Sequence, residues 1–304
     1  MAPRITTQMV SRSILSDLNN VSARVSHTQR KLSSGKEITR PSDDPYGASR
    51  ALALRGDIEG TKQYQRNIDE AVAWQNITDA ALSKMVDVVH RTRELTVQGA
   101  TDSAGQDARN SAAAEIDQLI ETLKGEANAS YGGRYVFSGT QTSTRPYAVG
   151  GADTYAGNTG TVAREIGPGV SVQVNVIGQT VLGNGQAAND GLLLDNLRDI
   201  AQHLRGGTAA DANALRGTDL QALDANLQRV VQARATVGAT TNRLESAQAR
   251  LGEMEESTTQ LLSEVEDADM AKTLTDFSMQ QNVYQSALHA GANIIQQSLL
   301  DWLR

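Results

Sequence analysis

Residues 219–268 read DLQALDANLQRVVQARATVGATTNRLESAQARLGEMEESTTQLLSEVEDA, and this stretch decides the fold. Leu220, Leu223, Leu227, Val230, Arg234, Val237, Thr241 and Leu244 follow one another in alternating steps of 3 and 4. That is the a/d seam of a heptad-patterned helix, which keeps one face on a partner. A 3-residue step to Ala247 breaks the alternation, and Leu251, Met254, Thr258, Leu261, Val265 and Ala268 resume it. Such a step predicts a stammer, a local overwinding. A straight helix over this span would be about 75 Å long at roughly 1.5 Å per residue. A single globular core does not cover a rod of that length, so it needs partner helices.

The N-terminal segment carries the same rhythm. Ile14, Leu18, Val21, Val25, Thr28 and Leu32 step by 4, 3, 4, 3, 4. Ser33-Ser34-Gly35 stops the helix, with Gly35 suited to the left-handed residue just past its end. A link from Lys36 to Asp44 follows, and Asp44-Pro45 reads as the cap and first residue of a second helix reaching Gly99. A third helix is expected from Asp107 to Ser130. The C-terminus stays amphipathic through Phe277, Tyr284, Leu288, Ile295, Leu299 and Trp302, where chain ends are ordinarily polar and frayed.

Between these helical regions the composition changes. Residues 134–185 are rich in Gly, Thr, Ser, Val and Tyr. Val170, Val172, Val174 and Val176 alternate with Ser171, Gln173 and Asn175, a period-2 strand with one buried face. Arg134–Ser138 and Thr161–Ile166 are weaker strand candidates. Helical pattern resumes at Leu192 and stops at Gly206-Gly207. The fold class is therefore mainly α: long antiparallel helices pair the N- and C-terminal regions in a coiled-coil-like bundle, with a small β-rich insert. The expected organisation is a terminal assembly layer of residues 1–44 and 269–304, a helical bundle of 45–133 and 186–268, and the insert of 134–185.

Composition narrows the chemistry. The 304 residues carry a formal net charge of −7, which gives no general pull towards nucleic acid. Aromatic content is 4% and hydrophobic content 39%, much of it Ala, which suits slender bundles better than a thick enzyme core. There is no Cys, so disulfides, thiolate metal sites and Cys nucleophiles are excluded. No apolar run approaches the roughly 18 residues that span a bilayer. Met1 to Leu15 lacks the apolar core of a secretory signal, so any export is expected to avoid a cleaved signal peptide. His27, His90, His203 and His289 are scattered, and no nucleophile elbow or phosphate loop appears. No catalytic, cofactor-binding or metal site is expected. Glu264, Glu266, Asp267 and Asp269 lack the Gly and spacing of a calcium loop and read as a solvated face or a contact to basic neighbours.

Two joined motifs carry a resemblance. Arg30-Lys31-Leu32-Ser33-Ser34-Gly35-Lys36 followed by Arg40-Pro41-Ser42-Asp43-Asp44-Pro45 resembles the N-terminal signature of the flagellin superfamily. The form with both prolines, and the ending Ser298-Leu299-Leu300-Asp301-Trp302-Leu303, is similar to its hook–filament junction members. Val265-Glu266-Asp267-Ala268-Asp269-Met270-Ala271 resembles the shared C-terminal motif. The resemblance implies a structural subunit, not an enzyme, exported by the flagellar type III apparatus to the extracellular flagellum. It implies contacts with copies of itself, a neighbouring hook-associated protein and flagellin, and an export chaperone on the C-terminal helix. Neither nucleic acid nor membrane is expected as a partner. Subunit-interface residues are expected on the terminal seams, at Ile14, Leu18, Val21, Val25, Leu32, Phe277, Tyr284, Leu288, Ile295, Leu299 and Trp302. The charged link residues Arg40, Asp43 and Asp44 complete that set. Flagellin itself, the bulk filament subunit, is the alternative, and an adhesin using the insert is a rival of another class.

Overall fold

The computed structural model describes residues 7–101 and 104–302, and their side chains apart from residues 7, 8, 10, 11 and 293–302. Its helices are α1 (Thr7–Ser34), α2 (Pro45–Gly99), α3 (Gln106–Ala127), α4 (Gly178–Leu182), α5 (Leu193–Gly206), α6 (Ala209–Ala214), α7 (Leu220–Glu266) and α8 (Met270–Trp302). A single π-helical stretch, Leu215–Asp219, separates α6 from α7. The mainly α class expected from the heptads is what the chain adopts. It divides into two compact units, residues 1–60 with 254–304 and residues 61–253.

In the first unit α1 packs on α8. A Cβ placed on Gly291 would lie 3.2 Å from Ile14 Cγ2, and Thr28 Oγ1 donates to Gln280 Oε1 at 2.8 Å. The helices therefore run antiparallel. The side of α8 that is covered comprises Thr273, Phe277, Gln280, Tyr284, Ala287 and Gly291, a 4-3-4-3-4 stepping that answers the seam of α1.

The second unit holds the larger core. Leu82, Met85 and Val89 of α2, Ile116, Ile120 and Leu123 of α3, and Leu197, Ile200 and Leu204 of α5 are all buried in one cluster. The insert contributes Phe137, Tyr147 and Leu182 to the same cluster, while its Ile166, Val172 and Val174 join a second one with Ile68, Ala71, Leu244 and Leu251. Two antiparallel hairpins make up its sheet content: β1 (Ser130–Tyr131) with β2 (Arg134–Tyr135), and β3 (Ala163–Gly167) with β4 (Val170–Gln173). Gly132 and Gly133, both at positive φ, form the two-residue turn of the first.

The 3-residue step from Leu244 falls on Ala247, which is buried with Leu244 and Leu251. Leu223, Val230, Val237, Leu244 and Leu251 are buried at seven-residue spacing, and half-buried Glu255, Thr258, Leu262 and Val265 carry the same seam onward. Met254 and Leu261 fall outside it and are exposed. Of the residues expected after that step, Leu251, Thr258 and Val265 keep to the covered side, and Met254 and Leu261 do not. The expected strand over 170–176 stops at Gln173, because the buried Asn175 side chain bonds the backbone of Gly160 and Val162 instead. The strand expected at Arg134–Ser138 keeps only Arg134–Tyr135, since Val136 and Phe137 are both buried and break the alternation.

Candidate subunit interface

The joint between α1 and α2 is built from local rules. Gly35, at φ +70°, accepts the left-handed conformation that closes α1, and its N–H donates to Lys31 O at 2.9 Å. The link then pairs with the end of α7 through an isolated antiparallel bridge between Lys36 and Asp267. Glu37 N donates to Glu266 O at 2.7 Å, and Ala268 N donates to Gly35 O at 2.9 Å. Further along, Asp43 Oδ2 accepts the Thr39 hydroxyl at 2.8 Å and the Arg40 amide at 2.9 Å. The Thr39 hydroxyl above all, with the Arg40 and Thr39 amides and the nearby His27, holds the Asp43 carboxyl below the usual carboxylate range against the cost of desolvation. Asp44 caps α2, its Oδ1 accepting the Tyr46 amide at 3.1 Å.

Glu266 is the electrostatic centre of the joint. It is only 5% exposed, and Lys36 Nζ donates to its Oε1 at 2.6 Å while Arg55 Nη2 donates to the same oxygen. Burial would raise this carboxyl, but the hydrogen bonds from Lys36 and Arg55 and their charges outweigh it and hold it low. The sequence reading of the acidic group as a solvated face therefore fails at Glu266, which is satisfied within its own chain. Lys31 likewise pairs with Glu37.

Two grooves flank this bridge. One, of about 390 Å³, is lined by Ile38, Arg40, Pro41, Ala51, Leu52 and Arg55 together with Ser34, Lys36, Thr39, Ala48 and Glu266. The other, of about 420 Å³, is lined by polar and charged residues including Lys31, Glu37, Asp267, Asp269, Lys272 and Asp276.

The expected interface residues divide into three groups. Val21 is buried and Ile14, Leu18, Val25, Leu32, Phe277 and Tyr284 are half-buried, all on the seam between α1 and α8 of one chain. Arg40, Asp43, Asp44 and Leu288 are exposed. The side chains of Ile295, Leu299 and Trp302 lie outside the described set. A further set of apolar residues stands in solvent beside the seam: Met9 at 63% exposure, Leu274 at 54% and Met279 at 58%, with Leu15, Met270 and Val283. At about 100° per residue, Met270, Leu274 and Leu288 lie on one flank of the α8 seam and Met279 and Val283 on the other. The sequence signal for them was an apolar stripe on α8 wider than an a/d seam requires. In the first turns of α2, Tyr46 and Leu52 are 77% and 71% exposed. Among the described residues no helix is long and apolar enough to cross a membrane, and no group of three or more His, Asp or Glu is placed to hold a metal ion.

Residues 5–142 match the bacterial flagellin N-terminal helical region, and residues 220–303 match the bacterial flagellin C-terminal helical region. The chain is 26% identical over 303 residues to flagellar hook-associated protein 3 of Escherichia coli, covering 94% of this chain and 95% of that one. It is 30% identical over 275 residues to the flagellar filament 30.7 kDa core protein of Treponema maltophilum, covering 90% of each. Its fold is similar to that of flagellar hook-associated protein 3 from Legionella pneumophila, with a TM-score of 0.61 at 15% identity over 70% of this chain and 98% of that one. With both terminal helical regions matched in order and the joint between them formed, the chain belongs to the flagellin family.

Proposed function

We propose that this chain is a structural subunit of the bacterial flagellum that joins the hook-associated proteins to the flagellin filament, and that it catalyses no reaction. The observation that carries this is the exposed apolar surface on both flanks of the α1–α8 pair. Met9, Leu274, Met279 and Val283 gain nothing in a lone chain, whereas burial stabilises each by roughly 1.5–3 kcal/mol when a neighbour covers it. Copies of the same chain, a neighbouring hook-associated protein and flagellin supply that cover in the assembled organelle. An export chaperone covers α8 before export, and the assembled chain lies in the extracellular flagellum, reached without a cleaved signal peptide. The likeness along nearly the whole length of the Escherichia coli hook-associated protein supports the junction role, as do Pro41 and Pro45 in the joint.

A null mutant viewed by electron microscopy tests the reading. Intact hooks lacking filaments, with flagellin shed into the medium, are expected. Filaments of normal number and length in that mutant would remove the junction role. The comparable identity to a filament core protein favours a second reading, as the bulk filament subunit. Purified chain added to filament seeds discriminates: long growth belongs to a filament subunit, and growth that stops at once belongs to a junction subunit.

A further inference from the structure

The two grooves beside the Lys36–Asp267 bridge carry opposite charge. Lys36, Arg40 and Arg55 face the first against the single carboxylate of Glu266, leaving it two charges positive. Glu37, Asp267, Asp269 and Asp276 face the second against Lys31 and Lys272, leaving it two charges negative. The two grooves share no lining residue, and neighbours along the chain divide between them. Lys36 lines the positive groove and Glu37 the negative one; Glu266 lines the positive groove and Asp267 the negative one. The bridge therefore stands between the two grooves of one joint.

Resting on the assembly reading above, we infer that the positive groove of one copy receives the negative face of a second copy, so that the joints stack head to tail. A two-fold dimer pairs both grooves at once only if they share one self-complementary patch, and here the bridge divides them. They satisfy each other in a heterologous contact, which closes into a ring or runs on as a helix. The positive groove is also the apolar one: Leu52, 71% exposed, lines it with Ile38 and Pro41. The aliphatic stem of the exposed Lys272 supplies apolar cover for it while its charged head remains in water. Arg40 has the geometry to reach an acidic neighbour, since the Asp43 carboxylate holds its backbone amide and leaves its guanidinium in the groove lining. Charge complementarity of this kind selects the partner face and the register more than it adds affinity.

The full chain contains no cysteine, which makes a cross-linking test direct. Two single variants, Leu52→Cys and Lys272→Cys, are expressed together in cells lacking the native copy, and isolated flagella are mildly oxidised. A disulfide-linked dimer is expected from the mixture and not from either variant alone. Dimers from Leu52→Cys alone, or none from the mixture although both chains are present in the flagella, would overturn the head-to-tail contact and leave the junction role standing. Absence of the native chain from flagella isolated in parallel from wild-type cells would instead overturn the junction role itself. In parallel, Arg40→Glu and Asp276→Arg are each expected to cut incorporation about ten-fold, with the double variant restoring most of it. Helical content by circular dichroism checks that the variants fold, and a double variant no better than the singles counts against the pairing.

Discussion

Lys124 Nζ, on a side chain with no exposed surface, lies 3.0 Å from Asp153 Oδ1. It also donates to Glu121 at 2.8 Å and to Gly151 O at 2.9 Å, and so ties the loop after Tyr147 to α3. Arg198 of α5 donates to the other oxygen of Asp153 at 2.8 Å. Burial alone would raise the Asp153 carboxyl, but Arg198 first and Lys124 second hold it below the usual range. Lys124→Met should cost about 3 kcal/mol, the lower end for a broken buried pair, because Arg198 remains. Urea unfolding measures the loss, and faster amide exchange at Gly150 and Gly151 would locate it.

Glu266→Gln removes the charge that holds Lys36 and Arg55 together. Both partners are roughly half exposed, so the expected loss is reduced to about 1–2 kcal/mol. The sign with pH is fixed by the lowered folded-state value. The contribution is fully present above the ordinary Glu range, near pH 4.3, and is lost as pH falls through the folded value below it. Thermal unfolding of both chains between pH 3 and 6 checks this: the difference should be largest at the upper end and shrink towards the lower. A difference that grew on acidification would contradict the pairing.

Two leucines should separate folding from assembly. Leu223 is fully buried, and Leu223→Ala is expected to cost about 2–5 kcal/mol. Leu52 stands in solvent, and Leu52→Ala should change stability by less than about 0.5 kcal/mol while lowering incorporation into flagella. Denaturant midpoints and immunoblots of isolated flagella supply the two readouts.

Gly35→Ala isolates the backbone of the joint. Nothing lies within 4 Å of the added Cβ, so the cost arises from φ +70° alone, about 1 kcal/mol. The loss should appear in the first unfolding transition of the terminal helices and leave the Lys124 region unchanged in amide exchange.

The helices were legible because their signals are local and repeated. Gly35, Asp44 and Pro45 act within a turn of themselves, and the α1 seam is visible as a stepping of 4 and 3. The α7 seam was misread at Met254 and Leu261, which are apolar yet exposed, so hydrophobicity alone assigned them the wrong face. The capping box of Thr208 and Asp211 and the π-helical turn that follows escaped notice, since Gly206-Gly207 read only as a stop. The joint's charge arrangement was the least legible part. Glu266 meets Lys36 across 230 positions of sequence, and no local period reports such a meeting.

That separation has a kinetic consequence. Thr28 reaches Gln280 across 252 positions, and closing a loop of that length is slow unless the intervening chain has already shortened it. The α1–α8 contacts are thus among the last native contacts to form, after the residues between them have collapsed. A newly delivered chain passes through a stage in which the middle is folded and both ends are still searching. The growing end of the polymer can capture those ends in that interval, so late closure makes the neighbour a participant in folding.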